Sequence, residues 1–156
     1  MSIIEHKGDL LEQVKAGIIV HGCNSLGVMG AGFAESVKGM YPHVFDAYRK
    51  HFETHGLKLG EVVWARAIED GQKRPVLAVA NAITQNRLPR TRGEKVVSYD
   101  AVWDAFLAVR SAAEKTGFPV HFPLIGCGLA GGKWGVVSAI IEEALGPSVE
   151  CHLWLK

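Results

Sequence analysis

Residues 21–32 read HGCNSLGVMGAG. The residues before them, Ile18-Ile19-Val20, form an apolar run that reads as a buried strand. The residues after them, FAESVKGMYP from Phe33 to Pro42, read as a helix that the proline helps to close. A strand that passes through a glycine-rich loop into a helix brings backbone N–H groups and a helix N-terminus to one point, where an anion can sit. The spacing of Gly27, Gly30 and Gly32 does not match G-x-G-x-x-G, and no Gly-Lys-Ser/Thr follows, so the common dinucleotide and triphosphate fingerprints are absent. On this stretch alone two readings stand: a phosphate pocket at the carboxyl end of the strand, or a tight strand-to-helix turn.

The same arrangement recurs near the other end. Pro119–Ile125, PVHFPLI, reads as a buried strand, Gly126–Gly132 is a second glycine loop, GCGLAGG, and Lys133–Leu145 reads as a helix. Its inner stripe is Trp134, Val137, Ile141 and Leu145, and Gly146-Pro147 stops it. If the two strands are parallel neighbours, both loops open on one edge of the sheet, where open α/β sheets bind ligands. Two loops facing across a crevice suit an extended ligand with a diphosphate in its middle.

The remaining segments fill in this frame. Ser2–His6 reads as a strand, and Leu10–Val14 as a short helical turn with Asp9 as N-cap. Val44–His55 reads as a helix with Val44, Tyr48, His51, Phe52 and His55 on one face, and Gly56 at its end. Glu61–Arg66 and Pro75–Ile83 read as strands joined through the Asp70-Gly71 turn, hence an antiparallel pair. Gln85–Glu94 is a polar, basic loop, and Ser98 caps a helix reaching Lys115. Val149–Leu155 alternates as a last strand. The expected fold class is α/β: three layers, α/β/α, around a mixed and mostly parallel central sheet.

At 156 residues the chain suits one domain spanning 1–156. Its net charge of +1 supplies no global field that would call for nucleic acid or an acidic membrane surface. Cys23, Cys127 and Cys151 are dispersed and include no C-x-x-C pair. Neither a zinc site nor a disulfide framework is expected, and reduced thiols in a cytoplasmic compartment are the simpler reading. No apolar run reaches membrane-span length and no signal-peptide pattern is visible, so no membrane association is expected. A monomer without cofactor or metal is the default.

Three stretches carry a family resemblance: Gly8-Asp9-Leu10, the run from Ile18 to Pro42, and FPLIGCGLAGGKWGVVSAIIEEAL from Phe122 to Leu145. Together they resemble the macro domain, a fold that binds ADP-ribose and related compounds, over nearly the whole chain. Within it the chain looks closest to a branch holding the ADP-ribose 1″-phosphate phosphatase, the terminal ADP-ribose protein glycohydrolase and an antitoxin that reverses DNA ADP-ribosylation. His21-x-Cys23-Asn24, the Met29–Gly32 loop, Tyr41-Pro42 and Gly93-Glu94-Lys95 favour the phosphatase-like member. The implied ligand is ADP-ribose or a derivative, with nucleic acid a partner only when itself ADP-ribosylated.

The resemblance implies roles residue by residue. Asp9 would accept from the adenine amino group. Asn24 would use amide donor and acceptor on the distal ribose diol. Gly30, Ala31 and Gly32 would bring N–H groups to that ribose and the adjoining phosphate. Gly126, Cys127, Gly128, Leu129, Ala130 and Gly131 would hold the diphosphate from the other side, with Leu10, Cys23 and Phe33 completing the lining. His21 matches a position suited to a general base, or else closes the strand on a backbone group. Asp100 would orient His21 or a water, or else serve only as a first-turn acid favoured by the helix dipole. Glycohydrolases of this branch use a lysine nucleophile where Gln85 and Asn86 stand here, and the terminal glycohydrolase has an aspartate where Ala130 stands. Both departures count against a covalent lysine mechanism. Arg87, Arg90, Arg92 and Lys95 either cap the crevice or form a solvated loop.

Overall fold

The computed structural model describes residues 2–156. The chain runs β1 (Ile4–Lys7), α1 (Leu10–Gln13), β2 (Gly17–Asn24), α2 (Gly32–Met40), α3 (Pro42–His55), β3 (Val62–Glu69) and β4 (Pro75–Gln85). It continues through α4 (Tyr99–Thr116), β5 (Val120–Phe122), α5 (Trp134–Leu145) and β6 (Cys151–Leu155). The strands form one six-stranded sheet in the order β1-β6-β5-β2-β4-β3. Every pairing is parallel except β3 with β4, which turn back on each other through Asp70–Arg74. The mixed, mostly parallel sheet is as the sequence predicts.

The sheet is buried on both faces, and this is why the apolar residues of its central strands run consecutively rather than at alternate positions. On β2, Ile18 and Val20 join the core beneath α4 and α5, with Val102, Phe106, Val137 and Ile141. Ile19, between them, points the other way, into a core with Leu10, Leu11, Val37 and Val44 from α1, α2 and α3. A third, smaller cluster of Cys23, Met29, Tyr48 and Ile83 lies beneath the first glycine loop.

Several boundaries differ from expectation for local reasons. β5 is only Val120–Phe122, because Pro119 and Pro123 bracket it and neither can donate to a ladder. β2 runs on to Asn24 and β4 to Gln85, since the two strands keep pairing past the point where glycine suggested a loop. Pro42 is the first residue of α3 as well as the stop after α2, the position where a proline lacks no needed N–H. On α3 only Val44 and Tyr48 of the expected face are buried. His51 and His55 instead stack on each other at the solvent edge, 5.0 Å between ring centres.

Candidate functional site

β2 and β5 are parallel neighbours, with Ile18 opposite Val120 and Ile19 opposite His121. Their glycine loops therefore leave the sheet side by side at its carboxyl edge. Between them lies a groove of two lobes, about 700 Å³ and about 480 Å³. Gly32, Phe33, Pro123, Leu124 and Gly128 line both, so the lobes are continuous through the gap between the loops. The first lobe is walled by Asp9, Leu10 and Cys127, with Trp154 and Lys156 from the end of the chain. The second reaches His21, Cys23, Asn24, Gly30, Ala31, Gly126, Leu129 and Ala130. Gly131 and Asp100 line neither lobe.

The glycines divide into two kinds. Gly27 has φ +79° and a Cβ there would fall 2.6 Å from the Phe52 ring of α3. Arg49 covers that ring and donates to the Gly27 carbonyl at 3.1 Å, so α3 fixes the start of the first loop. Gly30 has open space where a side chain would be; at Gly32 a Cβ would make only van der Waals contact with Leu129 at 3.7 Å, and its φ of +64° rather than crowding calls for glycine. In the second loop, Gly126, Gly131 and Gly132 are demanded by the loop's own packing. Cβ atoms at Gly126 and Gly132 would fall 2.7 and 2.8 Å from Val97, and one at Gly131 would strike the Glu94 carbonyl. Gly128 alone of the four expected to cradle a ligand there without side chains combines an open Cβ direction with a place in both lobes. The density of glycine in this loop therefore reflects bracing against residues 93–97 more than close approach of a ligand. Val96 N–H and Val97 N–H both donate to Ala130 O, at 2.8 and 3.2 Å, completing that brace.

The N-terminus of α2 opens into the second lobe. Its N-cap, Ala31, has no side-chain cap, and Gly32, Phe33 and Ala34 line the lobe. Uncapped N–H groups and the positive end of the helix dipole thus border the groove between the loops.

Asn24 is placed beside the second lobe, but its amide is largely spent on the loop. Oδ1 accepts from Leu26 N–H at 3.0 Å and from the Tyr48 hydroxyl at 2.9 Å, and Nδ2 donates to Val28 O at 3.0 Å. One N–H remains free, so the donor–acceptor pair expected for a ribose diol is reduced to a donor. Asp9 caps α1, its Oδ1 accepting from Leu11 N–H at 3.0 Å and Glu12 N–H at 3.3 Å. Its Oδ2 faces Lys156 at 3.5 Å.

His21 lies behind the wall of the second lobe with no solvent exposure. Its Nε2 is 2.6 Å from Asn81 Oδ1, and Asn81 Nδ2 donates to Val63 O at 3.0 Å. That orientation of the Asn81 amide requires the imidazole to carry its proton on Nε2. Burial lowers the His21 pKa to about 4, so the ring is neutral at physiological pH. Of the two roles left open for Asp100, the structure gives the orienting contact with His21 to Asn81 on the adjacent strand instead. Asp100 is exposed on the first turn of α4, where a carboxylate complements the helix dipole. Burial likewise raises the thiol pKa of Cys23 and Cys127, which argues against either as a nucleophile.

In the basic loop, Arg87 pairs with Glu94 at 2.8 Å, and Arg90 N–H donates to the same carboxylate oxygen. The Arg87 hydrogen bond, aided by Arg90, holds the Glu94 carboxyl below the usual range. Leu88 and Pro89 of this loop reach the rim of the second lobe. Nothing in the sequence marks Thr84, Asn81 or Trp154 as site residues, and Tyr48 is legible there only as part of the inner face of α3. Each takes its place through contacts between distant segments. Among the described residues no helix is long and apolar enough to cross a membrane.

Comparison with known proteins agrees with this architecture. A 49-residue stretch, 31% of the chain, is 39% identical to an ADP-ribose 1″-phosphate phosphatase of Aspergillus clavatus but spans only 25% of that protein's length. A structure of a protein of unknown function from Bacteroides thetaiotaomicron is 30% identical, with 100% of this chain and 99% of that one covered at a TM-score of 0.86. A macrodomain protein from Streptomyces coelicolor is also 30% identical, covering 99% of each chain at a TM-score of 0.80. The family model described as Macro domain matches residues 20–141, and the chain belongs to the macro domain family.

Proposed function

We propose that the groove binds ADP-ribose and that the protein hydrolyses a small derivative of it, ADP-ribose 1″-phosphate or an acyl ester. The observation that carries this reading is the pair of glycine loops on neighbouring parallel strands, facing across one continuous two-lobed groove. The adenosine end occupies the first lobe, where Asp9 Oδ2 can accept from the adenine amino group. The diphosphate crosses at the shared residues, beside the uncapped N-terminus of α2 and the open Gly128. The distal ribose then enters the second lobe. Curated relatives named ADP-ribose 1″-phosphate phosphatase support the choice of reaction.

Hydrolysis here is a matter of positioning. A water oxygen attacks the phosphorus or acyl carbon, the bond to the ribose oxygen breaks, and the water proton passes to that departing oxygen. The groove contributes orientation and backbone dipoles. His21, buried and neutral, serves as a fixed part of the wall. A covalent lysine route has no candidate at the end of β4, where the Gln85 amide donates to Arg87 O at 3.0 Å.

The second reading is a non-catalytic ADP-ribose reader, favoured by the shielding of His21 from solvent. Phosphate release from ADP-ribose 1″-phosphate separates the two. Turnover abolished by blocking the groove supports the hydrolase. Binding of ADP-ribose with no turnover supports the reader, and no binding of either compound sinks both. Release of free ADP-ribose from a modified protein or nucleic acid would instead indicate a de-ADP-ribosylating hydrolase.

A further inference from the structure

Thr84 stands one residue before the end of β4 and lines the second lobe. It is 1% exposed, and its Oγ1 is, among the described residues, a buried side-chain oxygen with no hydrogen-bond partner. The backbone carbonyl at this position is satisfied, since Ser98 N–H donates to Thr84 O at 2.7 Å. The hydroxyl has Gly22 of β2 beside it. A Cβ at Gly22 would come within 2.9 Å of Thr84 Oγ1 and 3.5 Å of Ile125 Cγ2. The absence of a side chain at Gly22 therefore leaves room for the hydroxyl itself, which a Cβ there would crowd. All three residues line the same lobe.

A buried strand position with apolar neighbours is filled equally well by valine, which has the shape of threonine without the polar atom. A threonine whose hydroxyl stays unpaired weakens the fold for no gain in packing. The cost is recovered when a ligand atom supplies the missing bond. The other polar side chains in the wall are already engaged: His21 is held by Asn81, Asn24 Oδ1 by Leu26 and Tyr48, and the Gln85 amide donates to Arg87 O.

We propose that Thr84 is a specificity-determining residue of the second lobe, its hydroxyl bonding an oxygen at the distal end of the ligand. That oxygen belongs to the distal ribose or to the substituent it carries. A hydroxyl both donates and accepts, so it serves a sugar hydroxyl, a phosphate or an ester oxygen. The inference rests on the ADP-ribose reading above and sharpens it: Thr84 distinguishes ligands that have a distal ribose from ADP, which ends at the diphosphate.

The test is calorimetric titration of ADP, ADP-ribose and ADP-ribose 1″-phosphate against the parent and the Thr84→Val, Thr84→Ala and Thr84→Ser variants. Thr84→Val is expected to melt at or above the parent, because it removes an unpaired buried oxygen. It should bind ADP as the parent does and lose roughly tenfold or more in affinity for the longer ligands. Thr84→Ser, which keeps the hydroxyl, should recover most of that loss. A loss already present with ADP-ribose assigns the bond to the distal ribose; one confined to the 1″-phosphate assigns it to the substituent. Should Thr84→Val fail to fold, Thr84→Ala carries the same comparison. Equal affinities of parent and variant for the longer ligands overturn the inference while leaving the pocket standing. Loss of ADP binding in step with ADP-ribose binding also overturns it, because the residue would then be structural. A parent that binds none of the three removes the pocket assignment itself.

Discussion

Exchanging one glycine at a time in the second loop separates scaffold from site. Gly131 has φ +74°, and a Cβ there meets the Glu94 carbonyl and lies 2.9 Å from Gly93 O, both backbone atoms that cannot rotate away. A left-handed non-glycine residue costs about 1–2 kcal/mol, and relieving the clash adds about 1–2 kcal/mol more. Gly131→Ala should therefore lose about 2–4 kcal/mol, and at about 2–4 °C per kcal/mol for a chain of this size its melting temperature should fall by about 5–15 °C. Gly128 has no positive φ, and a Cβ there meets open space. Gly128→Ala should stay within about 0.5 kcal/mol of the parent. Its methyl group projects into the crossing between the lobes, so ADP-ribose affinity should fall by roughly tenfold. Thermal melts and calorimetric titration of the two variants in parallel give the answer. A stable Gly131→Ala, or a Gly128→Ala that melts early while binding normally, would refute the division of the loop into bracing and open positions.

Tyr48→Phe removes the hydroxyl that donates to Asn24 O at 2.6 Å and Asn24 Oδ1 at 2.9 Å, and should cost about 1–2 kcal/mol in denaturant unfolding. Asn24→Ala releases Leu26 N–H and Val28 O as well, and should loosen the first loop enough for amide exchange of residues 24–28 to quicken. Acid should weaken the fold through His21: an unfolded imidazole takes its proton near pH 6.5, whereas the native one refuses it until about pH 4. Stability from this source is level above pH 6.5 and falls between pH 6.5 and 4, by about 3 kcal/mol in all. His21→Gln, which does not titrate, should flatten that slope in urea melts taken across the range; an unchanged slope would show that other groups dominate. Asp100→Ala should leave turnover of ADP-ribose 1″-phosphate within about twofold of the parent, and a larger loss would return Asp100 to the chemistry.

The layered fold was legible because its signals are local. Ile18–Val20 and Pro75–Ala80 are apolar at consecutive positions, as suits strands covered on both faces, and Asp70-Gly71 marks the antiparallel turn. The short extent of β5 was legible too, had the two prolines at 119 and 123 been weighed against the apolar run between them. The loops were legible as loops, but the duty of each glycine was not. What a Cβ at Gly27 or Gly131 would strike is Phe52 or Glu94, more than 20 residues away in the chain. The same holds for His21, whose partner Asn81 comes from the neighbouring strand 60 positions along. Asp100 stands in the sequence equally as a partner for the ring and as a first-turn acid, because sequence shows the helix it begins but not its distance from the ring. Thr84 gave no signal at all, since a threonine in an apolar strand is ordinary until its hydroxyl is seen to lack a partner.

Calorimetric titration of the parent protein with ADP-ribose tests the central claim most directly. One-to-one binding is expected at roughly micromolar or tighter affinity, lost when Gly128 carries a bulky side chain. Absence of heat with ADP-ribose, or binding untouched by Gly128→Trp, would contradict a ligand lying between the two glycine loops.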